Sequence, residues 1–287
     1  MHQKKINAET AVYAVIGSPI KHSKSPAIYN SAFSRDGLNN VYVAFEVSQT
    51  QTQQKIEALK LLGVKGINIT MPCKHEALVC ADELDDAAKY VQAVNTLVFE
   101  DDRWKGYNTD GIGFWAAVKT KGYHLKQQRV MIFGSGNTAA ILMVQAVLEG
   151  VSDIYMVARD LERPLVIKEV IAKLTTDYAV NIKLLDLTDT QALQQALLQS
   201  EIVVQATSVG MAPAWQENIL PAGLVFKQGA LVSDCVYNPL QTEFLKVAEA
   251  QGCVILHGLH MLVGQAAENY RLFTACELDV ELLLAEI

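Results

Sequence analysis

The sequence predicts an α/β protein made of two domains, and three observations lead to this fold class. The chain has 287 residues, which is enough for two domains of ordinary size. Hydrophobic residues make up 51% and charged residues 19%, so a sizeable core is expected and extensive disorder is not. Short runs rich in Val, Ile and Tyr alternate with helical stretches, which favours mostly parallel sheets joined by right-handed crossovers.

The N-terminal part of the chain carries a first series of elements. Helices are predicted over 25–37 and 52–63, where helical spacing of apolar residues ends on a glycine. Strands are predicted at 11–17, 41–47, 66–71, 93–101 and 103–109, and the last two form a closing pair around a short acidic turn. This alternation indicates an open, mostly parallel α/β domain.

A second series begins at Val130, after a connecting helix predicted over 111–122. Its elements read RVMIFG, a helix from about 137 to 149, DIYMVAR, a long helix, NIKLLDL, another helix, EIVVQAT, GALVSDCV and CVILHG. The restart indicates a Rossmann-type nucleotide-binding domain, and the segment that follows it is predicted to be helical. We expect one domain from residues 1–110 plus 259–287 and another from residues 111–258.

Charge and cysteine content restrict the possible partners. A net charge of -7 and a pI of about 5.4 argue against nucleic acid or an anionic membrane as the main partner. The five cysteines are scattered without zinc-ligand spacing, so no metal site is predicted and free thiols are expected. Because the sequence shows neither a signal peptide nor ~18–20 uninterrupted apolar residues, we expect a cytoplasmic protein. We expect it to be a monomer or homodimer.

A glycine-rich turn opens the second series. Residues 134–139, GSGNTA, fit the pattern GxGxxA between a predicted strand and a predicted helix. The first Gly permits a tight turn, the second lets the backbone approach a pyrophosphate, and the small third residue lets helix and strand pack closely. A purely structural turn also favours glycine, but the strand–turn–helix context favours nucleotide binding.

The next strand ends in a charged cluster, ARDLER. Asp160 fits an adenosine ribose 2′-hydroxyl, whereas Arg159 and Arg163 fit a 2′-phosphate. The residues therefore predict NAD or NADP without separating the two. A solvated cluster at a strand end is the alternative interpretation, most of all for Arg163.

Four polar clusters follow predicted strand ends, where open α/β sheets bind ligands. They read HSKSP (22–26), NITMPCK (68–74), VNT (94–96) and YNTDG (107–111). Each has a structural alternative: Ser25 or Asp110 as a helix N-cap, Ser23 as a loop residue, and Asn95 with Thr96 as partners of backbone groups. Their recurrence in one domain favours a substrate site.

These motifs, taken together and in order, resemble those of the shikimate/quinate dehydrogenase family. They are SPIKHSKSPAIYN, GINITMPCKH, AVNTLV, GYNTDGIGF, GSGNTAA, ATSVGM, DCVYNPLQT and GLHMLVGQA, between about residue 11 and residue 275. The resemblance implies a substrate-binding and catalytic domain followed by an NAD(P)-binding Rossmann domain. It implies reversible reduction of 3-dehydroshikimate to shikimate, a step of aromatic amino acid biosynthesis, or interconversion of 3-dehydroquinate and quinate.

The resemblance also assigns roles to individual residues. Lys74 and Asp110 match the catalytic pair, and Lys74 suits the proton transfer that accompanies hydride transfer. Residues expected to bind the substrate, a small polyhydroxy carboxylic acid, are Ser23 and Ser25 at its carboxylate, Thr70, Asn95 and Gln265 at its ring hydroxyls, and Tyr237. Residues expected to border the cofactor are Gly134, Ser135, Gly136, Asn137, Thr138, Ala139, Arg159, Asp160, Arg163, Thr207, Val236 and Gly258.

Some positions depart from the family pattern. Asn137 and Thr138 stand where Gly-Ala is common, and Asp160 follows Arg159 where many NADP-specific members read Asn-Arg-Thr. Because a carboxylate repels a 2′-phosphate, we expect use of NAD, alone or alongside NADP. Gln205 replaces a usual Asn, and Tyr29 replaces a common His as a packing aromatic.

Two alternative functions are kept open by the sequence. Methylenetetrahydrofolate dehydrogenase-like enzymes share the two-domain layout and a lysine, but the SxS pair and the NTDG tract argue against them. A catalytically silent NAD(P)-binding regulatory homologue is the other alternative. The presence of both Lys74 and Asp110 argues against it.

Overall fold

The computed structural model describes residues 6–162 and 165–286. It divides the chain into two compact units. One contains the residues up to Thr109 together with those from Gln265 onward, and the other is Asp110–Gly264. The first unit is therefore built from two separate stretches of sequence, whereas the second is continuous.

The first unit contains a mixed sheet. Its strands are β1 (Ala11–Gly17), β2 (Asn40–Glu46), β3 (Gly66–Ile69), β4 (Glu83–Leu84), β5 (Thr96–Glu100) and β6 (Arg103–Tyr107). They lie in the order β2-β1-β3-β5-β6-β4. β1 is parallel to β2 and β3, and β4 is parallel to β6, whereas β5 is antiparallel to both of its neighbours. The sheet is thus mostly parallel, with one antiparallel hairpin inserted.

The second unit contains a parallel sheet. Its strands are β7 (Arg129–Phe133), β8 (Asp153–Ala158), β9 (Asn181–Asp186), β10 (Ile202–Gln205), β11 (Leu231–Asp234) and β12 (Val254–Leu256). Their order is β12-β11-β10-β7-β8-β9. The direction of the strand order reverses between β7 and β10, which is the topological switch point of a doubly wound nucleotide-binding fold.

The helices lie mostly between the strands in sequence. They are α1 (Ser25–Arg35), α2 (Thr52–Leu61), α3 (Asp86–Val91), α4 (Thr109–Thr120), α5 (Asn137–Leu148), α6 (Leu165–Asp177), α7 (Thr190–Gln199), α8 (Glu243–Ala250), α9 (Leu259–Thr274) and α10 (Val280–Glu286). None of them, across the described residues, is both long and apolar enough to cross a membrane.

Helix α9 completes the core of the first unit. The Tyr13 hydroxyl on β1 donates a hydrogen bond to the Phe273 carbonyl at 2.9 Å, and the two ring centroids are 4.9 Å apart. Tyr29 of α1 stacks on Tyr42 of β2 at 4.5 Å and on Tyr270 of α9 at 6.5 Å. All five of these aromatic residues are buried, with at most 8% of any of them exposed. Residues from both ends of the sequence therefore share one core.

The predicted α/β fold class is confirmed, with differences at element ends. β3 stops at Ile69 rather than at residue 71, because the chain leaves the ladder just before Pro72, which has no amide hydrogen to donate. The connecting helix begins at Thr109, two residues before its predicted start. The short elements β4 and α3 were not predicted, since six residues or fewer carry too little periodicity.

Candidate active site

The polar clusters of the first unit meet at one edge of its sheet. Thr70 follows β3, Asn95 precedes the antiparallel β5, and Thr109 follows β6, so all three lie at the same end of neighbouring strands. Backbone hydrogen bonds connect these ends: the Thr70 amide donates to Ile16 at 3.0 Å and the Asn95 amide donates to Tyr107 at 3.0 Å. Strand pairing thus brings together residues that are far apart in sequence.

The two serines lie where β1 passes into α1, and both are half-buried. The Ser23 hydroxyl accepts a hydrogen bond from the Ser25 amide at 3.3 Å. Helix α1 begins at Ser25, with Lys24 in the cap position and no side-chain capping bond. The N-cap alternative for Ser25 is therefore wrong.

Lys74 is carried by a firmly held segment after β3. Its side chain is half-buried, and its carbonyl accepts the Val94 amide at 3.0 Å. The preceding Cys73 is fully buried, and its thiol donates to the Val47 carbonyl at 3.4 Å. Burial raises the pKa of Cys73, so this thiol stays protonated and packs as a small apolar group. The backbone of Lys74 is thus fixed on both sides.

Asp110 is the first residue of the second unit and lies in the first turn of α4, where a carboxylate interacts favourably with the helix dipole. Its side chain is half-buried. Burial, followed by the charges of Asp234 and Asp110, raises the pKa of Cys235. Asp110 and Asp234 therefore place negative charge near the end of β11.

Asn95 and Gln265 are both held by other side chains. Asn95 is 4% exposed; its Oδ1 accepts the Thr109 amide at 3.0 Å, and its Nδ2 donates to the Thr109 hydroxyl at 3.1 Å. The alternative that Asn95 serves a backbone group is therefore confirmed, alongside any role toward a substrate. Gln265 is half-buried on α9, and its Oε1 accepts a hydrogen bond from Asn269 at 2.9 Å.

A buried polar network connects these side chains, and two of its members, Tyr42 and Asn269, were missed from the sequence. The Tyr42 hydroxyl donates to Asn68 Oδ1 at 2.6 Å, and Asn68 Nδ2 donates to the Thr96 hydroxyl at 3.0 Å. The Thr96 hydroxyl lies 2.6 Å from Asn269 Oδ1. One sequence signal for Asn269 was its position four residues after Gln265, on the same face of the helix.

The glycine turn of the second unit has the backbone that its sequence predicts. Gly134 has φ +129°, and a Cβ on it would lie 3.1 Å from the Ala206 carbonyl oxygen, so a side chain is excluded. Gly136 precedes α5 and has open space around it. Of the remaining residues, Ser135 and Thr138 are half-buried, Asn137 is exposed and Ala139 is fully buried. The open helix start fits a pyrophosphate.

Thr207, Val236 and Gly258 follow β10, β11 and β12, so they lie at one edge of the second sheet. A Cβ on Gly258 would lie 2.6 Å from the Asp234 and Val236 carbonyl oxygens. Tyr237, next to Val236, is 51% exposed. These residues converge on the same strand ends as the glycine turn, which is where a doubly wound sheet binds a dinucleotide.

Asp234 and Gln205 organise these strand ends. Asp234 is fully buried and accepts hydrogen bonds from the Val236 amide at 2.8 Å, the Thr242 hydroxyl at 2.6 Å and Gln205 Nε2 at 3.3 Å. Gln205 Oε1 in turn accepts the Thr207 amide. Burial raises the pKa of Asp234 to about 6, and the three hydrogen bonds partly oppose that rise. Gln205, which departs from the family pattern, thus connects Thr207, which is expected at the cofactor, with Asp234, which in turn holds the amide of Val236.

Arg159 and Asp160 follow β8 and are exposed. Asp160 Oδ1 accepts the Glu162 amide at 2.9 Å, which holds the carboxylate at the strand end. Arg163 lies outside the described residues. No three His, Cys, Asp or Glu side chains in the described part of the chain are grouped as for a metal ion.

Comparison with known proteins places this architecture in one family. The family model of the shikimate dehydrogenase substrate binding domain matches residues 15–97. A shikimate dehydrogenase (NADP(+)) of Lactococcus lactis subsp. cremoris is 38% identical over 99% of this chain and 98% of its own length. One from Streptococcus suis is 37% identical over 97% of this chain and 96% of its own.

A solved structure matches the whole fold. Shikimate 5-dehydrogenase from Listeria monocytogenes, in complex with shikimate and NAD, superposes with a TM-score of 0.94 at 32% identity. The match covers 99% of this chain and 98% of that one. Full-length identity above 30% to curated relatives, the substrate-domain match and this superposition agree with one another. The chain belongs to the shikimate dehydrogenase family.

Proposed function

We propose that the protein catalyses the reversible NAD(P)-dependent reduction of 3-dehydroshikimate to shikimate. The observation that carries this proposal is the full-length match, with a TM-score of 0.94, to a structure holding shikimate and NAD. The two sets of residues support it. All of the substrate set except Tyr237 belongs to the first unit, and most of the cofactor set lies at the strand ends of a doubly wound sheet in the second. Family membership argues against a methylenetetrahydrofolate dehydrogenase-like activity.

The first unit offers neutral groups to a polyhydroxy acid. We assign the hydroxyls of Ser23 and Ser25 to the substrate carboxylate, since positioned hydroxyl donors can bind an anion without adding charge. We assign Thr70, Asn95 and Gln265 to the ring hydroxyls. Tyr237, exposed in the second unit, is assigned to the substrate as well.

Lys74 is assigned to proton transfer, with Asp110 as its catalytic partner. Oxidation of a secondary alcohol releases a hydride and a proton, and the nicotinamide, when bound, takes up the hydride. The hydroxyl proton passes to the neutral amine of Lys74, and in the direction of reduction the ammonium returns a proton to the forming alkoxide. A half-buried lysine on a hydrogen-bonded stretch of backbone suits this task, because a fixed backbone limits the positions that its amine can take.

The second unit is assigned to the dinucleotide. The turn over 134–139 would hold the pyrophosphate, and Thr207, Val236 and Gly258 would border the nicotinamide half. Asp160 is assigned to the adenosine ribose, for which an exposed carboxylate at the end of β8 favours NAD. The curated relatives named above carry NADP(+) in their names, whereas the carboxylate of Asp160 favours NAD. We therefore propose use of NAD, alone or alongside NADP.

The test is absorbance at 340 nm with shikimate or quinate and with NAD or NADP. We expect turnover of shikimate with at least one cofactor. Activity with quinate alone would contradict the proposed substrate. Absence of turnover in all four combinations, with intact folding shown by circular dichroism, would instead favour the catalytically silent regulatory alternative.

A further inference from the structure

We propose that Asn269 is a positioning residue that determines which end of the Gln265 carboxamide faces the substrate. The inference rests on the proposed function, because it concerns the substrate of that reaction. Asn269 is 1% exposed and lies on α9, one helical turn after Gln265. Two branches of the buried polar network converge on it. The first branch runs from Asn95 through Thr109. The second branch runs from Tyr42 through Asn68 and Thr96.

Asn269 touches three side chains of the network at hydrogen-bonding distance. Its Oδ1 lies 2.6 Å from the Thr96 hydroxyl and 2.8 Å from the Thr109 hydroxyl. Its Nδ2 lies 2.9 Å from Gln265 Oε1. Tyr29, the aromatic that departs from the family pattern, donates to the carbonyl of Ala266 on the same helix at 3.3 Å.

The direction of the first branch follows from a backbone amide. The Thr109 amide can only donate, and it donates to Asn95 Oδ1 at 3.0 Å, so the other end of that carboxamide, Nδ2, faces the Thr109 hydroxyl. Because that hydroxyl accepts from Asn95, its own single proton is available to an acceptor. Asn269 Oδ1 at 2.8 Å is nearer than Asn95 Oδ1 at 3.2 Å.

The second branch has the same direction. The Tyr42 hydroxyl donates to Asn68 Oδ1, so Asn68 Nδ2 faces the Thr96 hydroxyl, which accepts. Thr96 then donates its proton to Asn269 Oδ1 at 2.6 Å, which is nearer than Asn95 Oδ1 at 3.0 Å. Both threonines therefore donate to the oxygen of Asn269.

The orientation of Asn269 fixes the orientation of the Gln265 carboxamide. With Oδ1 accepting two hydroxyl protons, the Asn269 carboxamide directs Nδ2 toward Gln265, which must offer Oε1 to it. A flipped Gln265 would set two amide N–H₂ groups against each other in a buried site. Both groups are hydrogen-bond donors, and leaving buried donors without an acceptor costs free energy. Gln265 therefore directs its N–H₂ end away from Asn269, as a donor suited to a hydroxyl or carboxylate oxygen of the substrate.

The test uses the near-isosteric substitution Asn269→Asp in the full-length protein. Asp accepts where Asn donates, so Gln265 turns its N–H₂ inward and offers its oxygen to the substrate. We expect the KM for shikimate to rise about tenfold or more, with kcat changed less and the cofactor KM within about twofold, as for loss of one hydrogen bond to a charged or polar partner. Asn269→Leu serves as a second variant without a buried charge.

A double-mutant cycle separates positioning from a general structural effect. In a Gln265→Ala background, Asn269→Leu should add little to the shikimate KM, because the residue through which it acts is absent. Thr274→Val is the matched control on the same helix: it removes a hydroxyl that donates to the Tyr270 carbonyl at 2.7 Å and should leave the KM within about twofold.

The outcomes distinguish this inference from the proposed function. Wild-type turnover with a shikimate KM unchanged in both folded Asn269 variants would overturn the inference alone. An Asn269→Leu effect that persists undiminished in the Gln265→Ala background would also overturn it. Wild type that neither turns over shikimate nor binds it by calorimetry would overturn both.

Discussion

Lys74 is the residue on which the proposed chemistry depends most directly. Its replacement by alanine removes the only group assigned to take the hydroxyl proton. We expect Lys74→Ala to lower kcat by roughly 10²–10⁴, the range for loss of a general acid/base. Steady-state kinetics at saturating shikimate measure this, with circular dichroism to show that the fold is kept.

Lys65→Ala is the matched control for that substitution. Lys65 is exposed just before β3, and only its backbone is hydrogen-bonded to β1 and β5, through Val12 and Phe99. The kcat of the Lys65→Ala variant should stay within about twofold of the wild-type value. Equal kcat values for Lys74→Ala and wild type would contradict the assignment of Lys74.

Asp160 is expected to set the cofactor preference. Removing its carboxylate removes both a partner for a ribose 2′-hydroxyl and a charge that repels a 2′-phosphate. Asp160→Ala should shift the ratio of kcat/KM for NADP over NAD upward by about tenfold, equivalent to ~1.4 kcal/mol. Glu162→Ala, two residues away and exposed, is the control. An unchanged ratio in Asp160→Ala would count against the assignment.

Asp234 predicts a pH dependence of stability. Its pKa is raised from 3.8 to about 6, so between these values the unfolded chain loses this proton while the folded protein keeps it. The contribution of Asp234 to the free energy of unfolding is therefore fully present below about pH 4 and is lost as the pH rises toward 6. The free energy of unfolding changes through this group by at most ~1.4 kcal/mol per pH unit. Urea unfolding at pH 4, 5, 6 and 7 measures the slope.

Asp234→Asn should lack that contribution to the slope, whatever its overall stability. The control is Ser233→Ala, next in sequence and also fully buried, which removes a hydroxyl that donates to the Leu256 carbonyl at 2.9 Å. Because serine does not titrate, this variant should keep the wild-type slope. Identical slopes for Asp234→Asn and wild type would contradict the raised pKa of Asp234.

Among the elements, α3 depends on one carboxylate. Asp85 caps it by accepting the Ala88 amide at 2.6 Å, and its second oxygen accepts the Asn108 amide at 3.2 Å, just before α4. Asp85→Ala should lower the free energy of unfolding by about 0.5–2 kcal/mol for the lost cap, and further for the lost Asn108 bond. Asp85→Asn should keep most of the cap.

A second capped helix provides the comparison for Asp85. Asp189 caps α7 by accepting the Ala192 amide at 3.0 Å, and it is exposed. Urea denaturation of Asp189→Ala therefore reports the cap alone. If Asp85→Ala destabilises no more than Asp189→Ala, the bond to Asn108 contributes nothing measurable.

How far the sequence predicts each element depends on how local its signal is. The long strands and the turn at Gly134 carry their patterns within a few residues, and all were predicted. The register between strands does not lie in any single segment, and it is the register that sets Asn68 opposite Thr96. Asn269 reaches Thr96 across 173 positions, so no local pattern could show their contact.

The residue assignments drawn from the family resemblance have a similar limit. They name side chains such as Asn95 and Gln265, but not the groups that orient them. Orientation depends on which hydroxyl donates to which oxygen, and that follows from packing in three dimensions.

At the scale of the whole molecule, the order of the units along the chain is the main feature. The first unit takes its sheet from residues before Thr109 and its closing helix from residues after Gln265. The second unit, Asp110–Gly264, is uninterrupted. Phe273 packs so closely on β1 and β3 that a Cβ on Gly66 would lie 2.4 Å from its ring. The part of α9 from Gln265 onward is therefore an integral layer of the first unit.

This arrangement has a consequence for biosynthesis. On the ribosome, the first 109 residues emerge without the helix that covers Tyr13 and Tyr29, so their apolar face stays open to water, chaperones and other chains. At ~5–20 residues per second, translation of Asp110–Gly264 delays that helix by on the order of ten seconds. The nascent second unit can fold during this interval, so we expect the last part of the chain to be made before the first part becomes protease-resistant.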